Sequence, residues 1–297
     1  MTTLTTWQVR ALTSTIGAEL VGGELRSVDA GWLLDQLHEH LVVVVRDQHL
    51  DPAAQVALAR RLGSPTPAHP VVPGHPDHPE ILELDGGRGG RNARWHTDVT
   101  FTLEPPAASL LVADQVPEAG GDTLWADLRG AYESLAAPLR DLVDRLEAVH
   151  RISPLAYWGE PFDTALGRDD AQQLLDRAST VPAVIHPVVR THPVTGHRAL
   201  FVNPGFTTHI TGLSRIESDA LLRMLYDHAT QPEHVVRHRW RAGDVVLWDN
   251  QATMHYATDD YGNAPRAMRR VTLQGSVPVG PLGTHSRLAL DPLTAMR

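Results

Sequence analysis

From residue 184 to residue 275 the chain is written mostly in short β-type segments joined by long connections, and this pattern limits the folds open to it. Residues 184–191 and 198–202 flank a turn holding Pro193 and Gly196. Residues 235–240 and 245–248 flank Ala242-Gly243-Asp244, a hairpin signal. Residues 269–275 read as a last strand. The first half mixes the two element types. Leu33, Leu34, Leu37 and Leu41 fall at helical spacing, and the four valines 42–45 read as a buried strand. Asp51-Pro52 is an N-cap with proline at the first helical position, opening a helix to Arg61 that Gly63 closes. Short strands are expected at 80–84 and 108–116, and one or two helices over 127–146, broken near Pro138. Ser214 and Glu217 form a capping box for a helix to about His228. Many strands with helices packed outside suit a mainly β fold with flanking helices, a jelly-roll barrel. No boundary divides the chain, so 1–297 reads as a single domain. Residues 153–183 have weak periodicity and read as an inserted lid.

Composition narrows the chemistry. The 297 residues hold no cysteine, which excludes disulfide scaffolds, thiolate zinc sites, iron–sulfur clusters and cysteine nucleophiles. A formal net charge of -9 argues against a broad nucleic-acid surface, while leaving room for a local basic pocket. No basic and apolar leader is visible near Met1, and no stretch approaches a membrane span, so the expected location is the cytoplasm, with no nucleic acid or membrane as partner. A homo-oligomer stays open.

Two segments carry the chemistry. Trp95-His96-Thr97-Asp98 places an imidazole and a carboxylate two residues apart, and His255 follows 157 residues after Asp98. Two histidines and one carboxylate make a facial triad for non-haem Fe(II), leaving the opposite face open to O2 and a co-substrate. On a strand His96 and Asp98 would share a face. Zinc competes for such ligands, although no His-Glu-x-x-His motif is present. By residue type alone, two unrelated polar histidines fit as well. Arg266 and Arg270, four apart, would share one face of an extended segment, and two inward guanidinium groups call for two anions. Thr123, after Gly120-Gly121-Asp122, could donate to the same carboxylate as Arg266. A solvated basic run over Arg266, Arg269 and Arg270 fits the spacing equally.

The run Trp95-His96-Thr97-Asp98-Val99-Thr100-Phe101 resembles the taurine dioxygenase (TauD/TfdA) family of Fe(II)- and 2-oxoglutarate-dependent dioxygenases. Gly120-Gly121-Asp122-Thr123-Leu124-Trp125, the stretch 186–193, Phe201-Val202-Asn203, Gly205-Phe206-Thr207-Thr208 and Trp248-Asp249-Asn250 resemble it too, in the family's order. The resemblance runs from Ile16 to about Pro278. It implies a double-stranded β-helix, cupin-like, and an enzyme using Fe(II), 2-oxoglutarate and O2. It implies His96, Asp98 and His255 as iron ligands, and Thr123 and Arg266 as holders of the far carboxylate of 2-oxoglutarate. His69, Asn92, Phe206 and Arg270 match substrate positions, with His69 and Arg270 gripping an anion.

The chain departs from the taurine pattern where the family has a tyrosine, at Val72, and at Leu155-Ala156. Both changes remove polar partners for an amine and leave the anion grip. The resemblance then implies hydroxylation of an alkylsulfonate or alkyl sulfate, giving an aldehyde with sulfite or sulfate, beside succinate and CO2. The same chemistry on a carboxylate such as an aryloxyalkanoate is the nearest alternative. A zinc hydrolase or a non-catalytic barrel is the alternative of another class. The tail around Thr284-His285-Ser286-Arg287 is closer to alkylsulfatase-type members. Asp98 itself marks a hydroxylating site, since halogenating relatives put a small residue there.

Overall fold

A computed structural model describes residues 7–86, 93–152 and 168–289, the side chains of 168–171 excepted. Its backbone is mainly β. One seven-stranded sheet runs in the order β1 (Gln8–Ala11), β2 (Ala18–Val21), β3 (Val42–Val45), β13 (Val245–Asp249), β5 (Ala108–Gln115), β15 (Ala267–Leu273), β4 (Leu82–Asp85). A three-stranded sheet orders β12 (Val235–His238), β6 (Thr123–Asp127) and β14 (Thr253–Ala257). A four-stranded sheet orders β11 (Thr207–Ile210), β7 (Glu147–His150), β8 (Val184–Pro187) and β16 (Arg287–Leu288), and β9 (Val189–Thr191) pairs with β10 (Arg198–Leu200).

The valine run shows why the large sheet forms. Alternate side chains of a strand point to opposite faces. Val42 and Val44, with Leu111, Val246 and Trp248, join a core that also holds Trp125, Met254, Ala148, Ile210 and Leu200, so residues from all four sheets meet there. Val43 and Val45, with Leu110, Val112, Leu247 and Val271, face a second core under α1 (Ala30–His40) and α2 (Pro52–Leu62), which supply Leu33, Leu37, Val56 and Ala59. A strand covered on both faces selects β-branched residues at every position. Leu41, at φ 63, turns the chain from α1 into β3, and its carbonyl accepts from Asp249 N–H at 2.8 Å. Arg46 closes the other end with ion pairs to Asp244 (2.6 Å) and Glu19 (3.2 Å).

The expected helices form, α2 with its expected N-cap and α1 with one that had no place among the expectations. Asp29 and Asp51 cap α1 and α2, and Gly63 follows α2 in an extended conformation. α3 (Leu128–Ser134) and α4 (Ala137–Val143) divide before Pro138, which sits in the first turn of α4. Both halves of the Ser214–Glu217 capping box open a helix over Arg215–Ala229.

Two expectations need correction. Residues 184–191 form two strands in different sheets, divided after Pro187, because proline lacks the N–H that would continue the ladder. The turn at Ala242–Asp244 joins no hairpin: β12 pairs with β6, while β13 pairs with β3 and β5. Within the segment read as an inserted lid, a helix spans Arg168–Ser179. It is α5, and the capping-box helix is α6. Residues 153–167, the first part of that segment and with them Leu155-Ala156, lie outside the described residues. None of the described helices is long and apolar enough to cross a membrane.

Candidate metal centre and its anion cradle

His255 sits on β14 and His96 on an isolated bridge beside it. Their backbones exchange hydrogen bonds of 2.9 Å (His96 N–H to His255 O) and 2.7 Å (the reverse). This reciprocal pairing sets the two imidazoles side by side, ring centroids 4.1 Å apart. Asp98 reaches the same point from a turn, so His96 and Asp98 do not share a strand face as the spacing argument had it. Asn250 holds that turn: its Oδ1 accepts from Asp98 N–H at 2.9 Å, and its Nδ2 donates to the carbonyls of Asp98 and Pro106, both at 3.0 Å. The next residue, Val99, has φ 56, an uncommon conformation for a β-branched side chain. The Cβ of an alanine at Gly205 would lie 2.7 Å from His96 Cβ, so glycine lets the 203–206 loop rest on the histidine.

Asp98 Oδ1 stands 3.8 Å from His96 Nε2 and 3.9 Å from His255 Nε2. All three are buried. The tautomer of His96 is set by its neighbour: Nδ1–H donates to Arg94 O at 2.9 Å, which leaves the Nε2 lone pair facing the carboxylate. Burial lowers the pKa of both histidines, and Asp98 only partly opposes this, so both rings are neutral at physiological pH. Burial would raise Asp98, but Arg270, His255, His96 and the Ser109 hydroxyl outweigh it and hold the carboxyl at about 2. Two neutral imidazoles and a carboxylate, with Asp98 Oδ1 within 3.9 Å of both Nε2 atoms, fit a divalent transition metal such as Fe(II).

A second cluster of the same composition lies elsewhere, formed by His38, His192 and Asp249. His192 Nδ1 accepts backbone N–H bonds from Val194 (3.2 Å) and Thr195 (3.1 Å). Its proton therefore sits on Nε2, facing Asp249 Oδ2 at 3.0 Å. No lone pair of His192 is left there for a metal, and the cluster is a buried polar network in which Asp249 Oδ1 also accepts from Gln251 N–H at 2.8 Å.

The register of β15 assigns its arginines. Arg269 and Arg270 point to opposite faces. Arg269 turns toward α2, paired with both oxygens of Asp114 at 2.6 Å and with Gln55 at 3.1 Å. Arg270 turns inward, where Nη1 bonds Asp98 Oδ1, while Nε and Nη2 have no hydrogen-bond partner among the described residues. The register shift between Ala267 and Met268 skips Asp114 of β5, so the extra residue belongs to β5 and the alternation of β15 survives. All three arginines are 7% exposed or less, which removes the reading as a solvated basic run. Arg266 is held by Gly121 O at 3.0 Å, and Gly121, at φ +68, lets the guanidinium stem pass.

Thr123 pairs with Ala257 and Trp125 with His255, which puts the Thr123 and His255 side chains on one face of their sheet. Thr123 Oγ1 accepts from Trp240 Nε1 at 2.9 Å, so its own hydrogen is free to donate. His69 lies buried near Arg270, its Nδ1 accepting from Val71 and Val72 N–H at 3.2 Å each, which fixes the proton on Nε2. Burial and then the Arg270 charge lower its pKa to about 3, so it is a neutral donor. Phe206 packs edge-on to His96, ring centroids 6.2 Å apart. Asn92 lies outside the described residues. Ser109, unmarked in the sequence reading, donates to Asp98 Oδ2 at 2.8 Å.

Comparison with known proteins agrees with this geometry. The model of the taurine catabolism dioxygenase TauD, TfdA family matches residues 8–272. The alpha-ketoglutarate-dependent sulfate ester dioxygenase of Pseudomonas putida is 44% identical over 94% of this chain and 93% of its own. The alkylsulfatase of Acinetobacter baylyi is 39% identical over 95% and 90%. The crystal structure of a taurine dioxygenase from Burkholderia xenovorans superposes with a TM-score of 0.80 at 38% identity, covering 96% of this chain and 97% of that one. With its two histidines and aspartate drawn together beside buried arginines, the chain belongs to the TauD/TfdA family of 2-oxoglutarate-dependent, non-haem iron dioxygenases.

Proposed function

We propose that this enzyme hydroxylates an alkyl sulfate or alkylsulfonate at the carbon bearing the anionic group. His96, Asp98 and His255 are the residues that would hold Fe(II), and Thr123 and Arg266 would take the far carboxylate of 2-oxoglutarate. Arg270 and His69 grip the substrate anion, with Phe206 along the pocket wall and Asn92 assigned there by resemblance alone. The reading is carried by one observation: buried Arg270 keeps two guanidinium donor atoms unpartnered beside the metal ligands. Buried donors of this kind call for a ligand anion. The names of the Pseudomonas and Acinetobacter relatives support a sulfate head group. We further take the chain as one domain on a double-stranded β-helix core, a reading supported by the core shared among its sheets.

Fe(II) with 2-oxoglutarate and O2 supplies the oxidation, which yields succinate, CO2 and a hydroxylated substrate. Each side chain has a narrower task. Arg270 carries the positive charge toward the head group, and His69, neutral, adds an oriented N–H without adding charge. Ser109 and Arg270 keep Asp98 ionised, and Arg94 O keeps the His96 lone pair directed inward. A hydroxyl on the carbon next to the sulfate oxygen or sulfonate sulfur then eliminates sulfate or sulfite, leaving an aldehyde.

Arg270→Ala tests the head-group assignment. Removing one partner of a buried charged contact costs about thirtyfold or more in affinity. The KM for an alkyl sulfate, read by succinate release, is expected to rise by that order, with the KM for 2-oxoglutarate changing far less. Arg266→Ala is expected to show the reverse pattern. An unchanged alkyl sulfate KM in Arg270→Ala would place the anion elsewhere.

A further inference from the structure

The apolar residues beside the metal centre form one cluster, and a single helix end packs into it. Phe101 stands edge-on to His69 (ring centroids 5.9 Å) and to Phe206 (4.9 Å), and Phe206 stands edge-on to His96. Val71, Val99 and Ile152 complete the buried cluster with these two rings. Ala178, in the last turn of α5, is buried in the same cluster, and half-buried Val181 packs against it just beyond the helix. Just before them the helix is tied down: Arg177 Nη1 donates to Val71 O at 3.2 Å. The N–H groups of Val71 and Val72 orient the His69 ring. The helix end is thus linked, through one short strip of backbone, to a residue of the anion grip.

We propose that the end of α5 gauges the hydrocarbon part of the substrate, with Ala178 and Val181 backing the apolar wall and Arg177 acting as a positioning residue for His69. The inference rests on the head-group reading above. A substrate whose anion is fixed at His69 and Arg270, and whose reacting carbon lies by His96, sends its remaining carbons toward Phe101 and Phe206. The cluster's side chains are all hydrocarbon, so an ammonium on that end would find no side-chain acceptor among them. Unsubstituted alkyl chains fit, and the small side chain of Ala178 sets how bulky they can be.

The test is a series of linear alkyl sulfates, from ethyl to decyl, bound to the holoenzyme and turned over with succinate as the readout. In the unmodified enzyme each added methylene is expected to tighten binding about threefold to fourfold until the wall is reached. Ala178→Leu is expected to end that gain at a shorter chain, lowering kcat/KM for the longest members relative to the shortest by about tenfold or more. Val181→Phe, at a half-buried position, carries the same expectation, so a folding defect in one variant does not decide the matter. Arg177→Ala is expected to raise KM across the series and flatten the gain per methylene, and Arg177→Lys, which keeps a donor, to restore part of it. A chain-length profile in Ala178→Leu and Val181→Phe identical to that of the unmodified enzyme overturns the gauge and leaves the head-group reading standing. If no alkyl sulfate binds the unmodified holoenzyme, the head-group reading fails and the gauge falls with it.

Discussion

At the scale of single residues, the site depends on what fixes each proposed iron ligand as much as on the three residues themselves. Asp98 offers two oxygens: Ser109 holds Oδ2 at 2.8 Å, and Oδ1, bonded to Arg270 Nη1, stands between the two imidazoles. Loss of such a supporting hydrogen bond typically weakens metal binding about 10- to 100-fold. Ser109→Ala is therefore expected to lower Fe(II) or Co(II) affinity within that range, measured by titration of the metal-free protein. An affinity within about twofold of the parent would remove Ser109 from this role. The convergence of His96, Asp98 and His255 was legible only through the motifs around them, because by residue type alone two unrelated histidines fit as well. Ser109 was not: one small polar residue in the apolar run 108–113 has no signature until the strand beside it is known. The same limit explains His96 and Asp98. Their spacing pointed to a strand, whereas a bridge and a turn held by Asn250 bring them together.

Among the elements, those set by local chemistry matched expectation and those set by distant partners did not. Caps are local. Asp51 and the Ser214–Glu217 pair accept backbone N–H groups where the sequence put them, and Asp29 does the same for α1. Removing an N-cap side chain costs about 1 kcal/mol. Ser214→Ala should lower stability by about that amount in chemical denaturation, with kinetic constants unchanged, because α6 contributes none of the proposed site residues. A loss below about 0.3 kcal/mol would mean the box is replaced by water. The turn at Ala242–Asp244 is local too, yet the strands it joins pair with residues more than a hundred positions away. α5 escaped notice for another reason: of its described side chains only Leu174 and Ala178 are buried, too few to mark a helical face against a polar background.

For the molecule as a whole, neutral buried histidines tie stability to pH. His69 and His186 are lowered to about 3, the first by burial and Arg270, the second by burial and Arg190. His150 and His255 are lowered well below 6.5, chiefly by burial. In the unfolded chain each histidine takes up a proton near pH 6.5, while in the native state these four stay neutral below that. The unfolded state therefore binds more protons on the acid side, and stability falls as pH drops below about 6.5. For His69 and His186 the loss continues toward pH 3, at about 1.4 kcal/mol per pH unit for each group. Denaturation midpoints measured in the metal-free protein at a series of pH values check this. A flat profile between about pH 6.5 and 5 would show that these rings are not held neutral. The strand order of the large sheet was beyond reach of the sequence, since β13 and β5 lie side by side only because the chain returns across the core.

Most strands announce their own alignment, because sliding by one position would send apolar groups to water and polar ones inward. The four valines of β3 carry no such information: shifted one step, they would offer each layer the same isopropyl groups. Their alignment must be written at the borders, in the left-handed Leu41 at one end and the charged clasp of Arg46 with Asp244 and Glu19 at the other. Those flanking residues act as the index marks on an otherwise unlabelled ruler, and a variant lacking them would have several equally greasy ways to lie against β13.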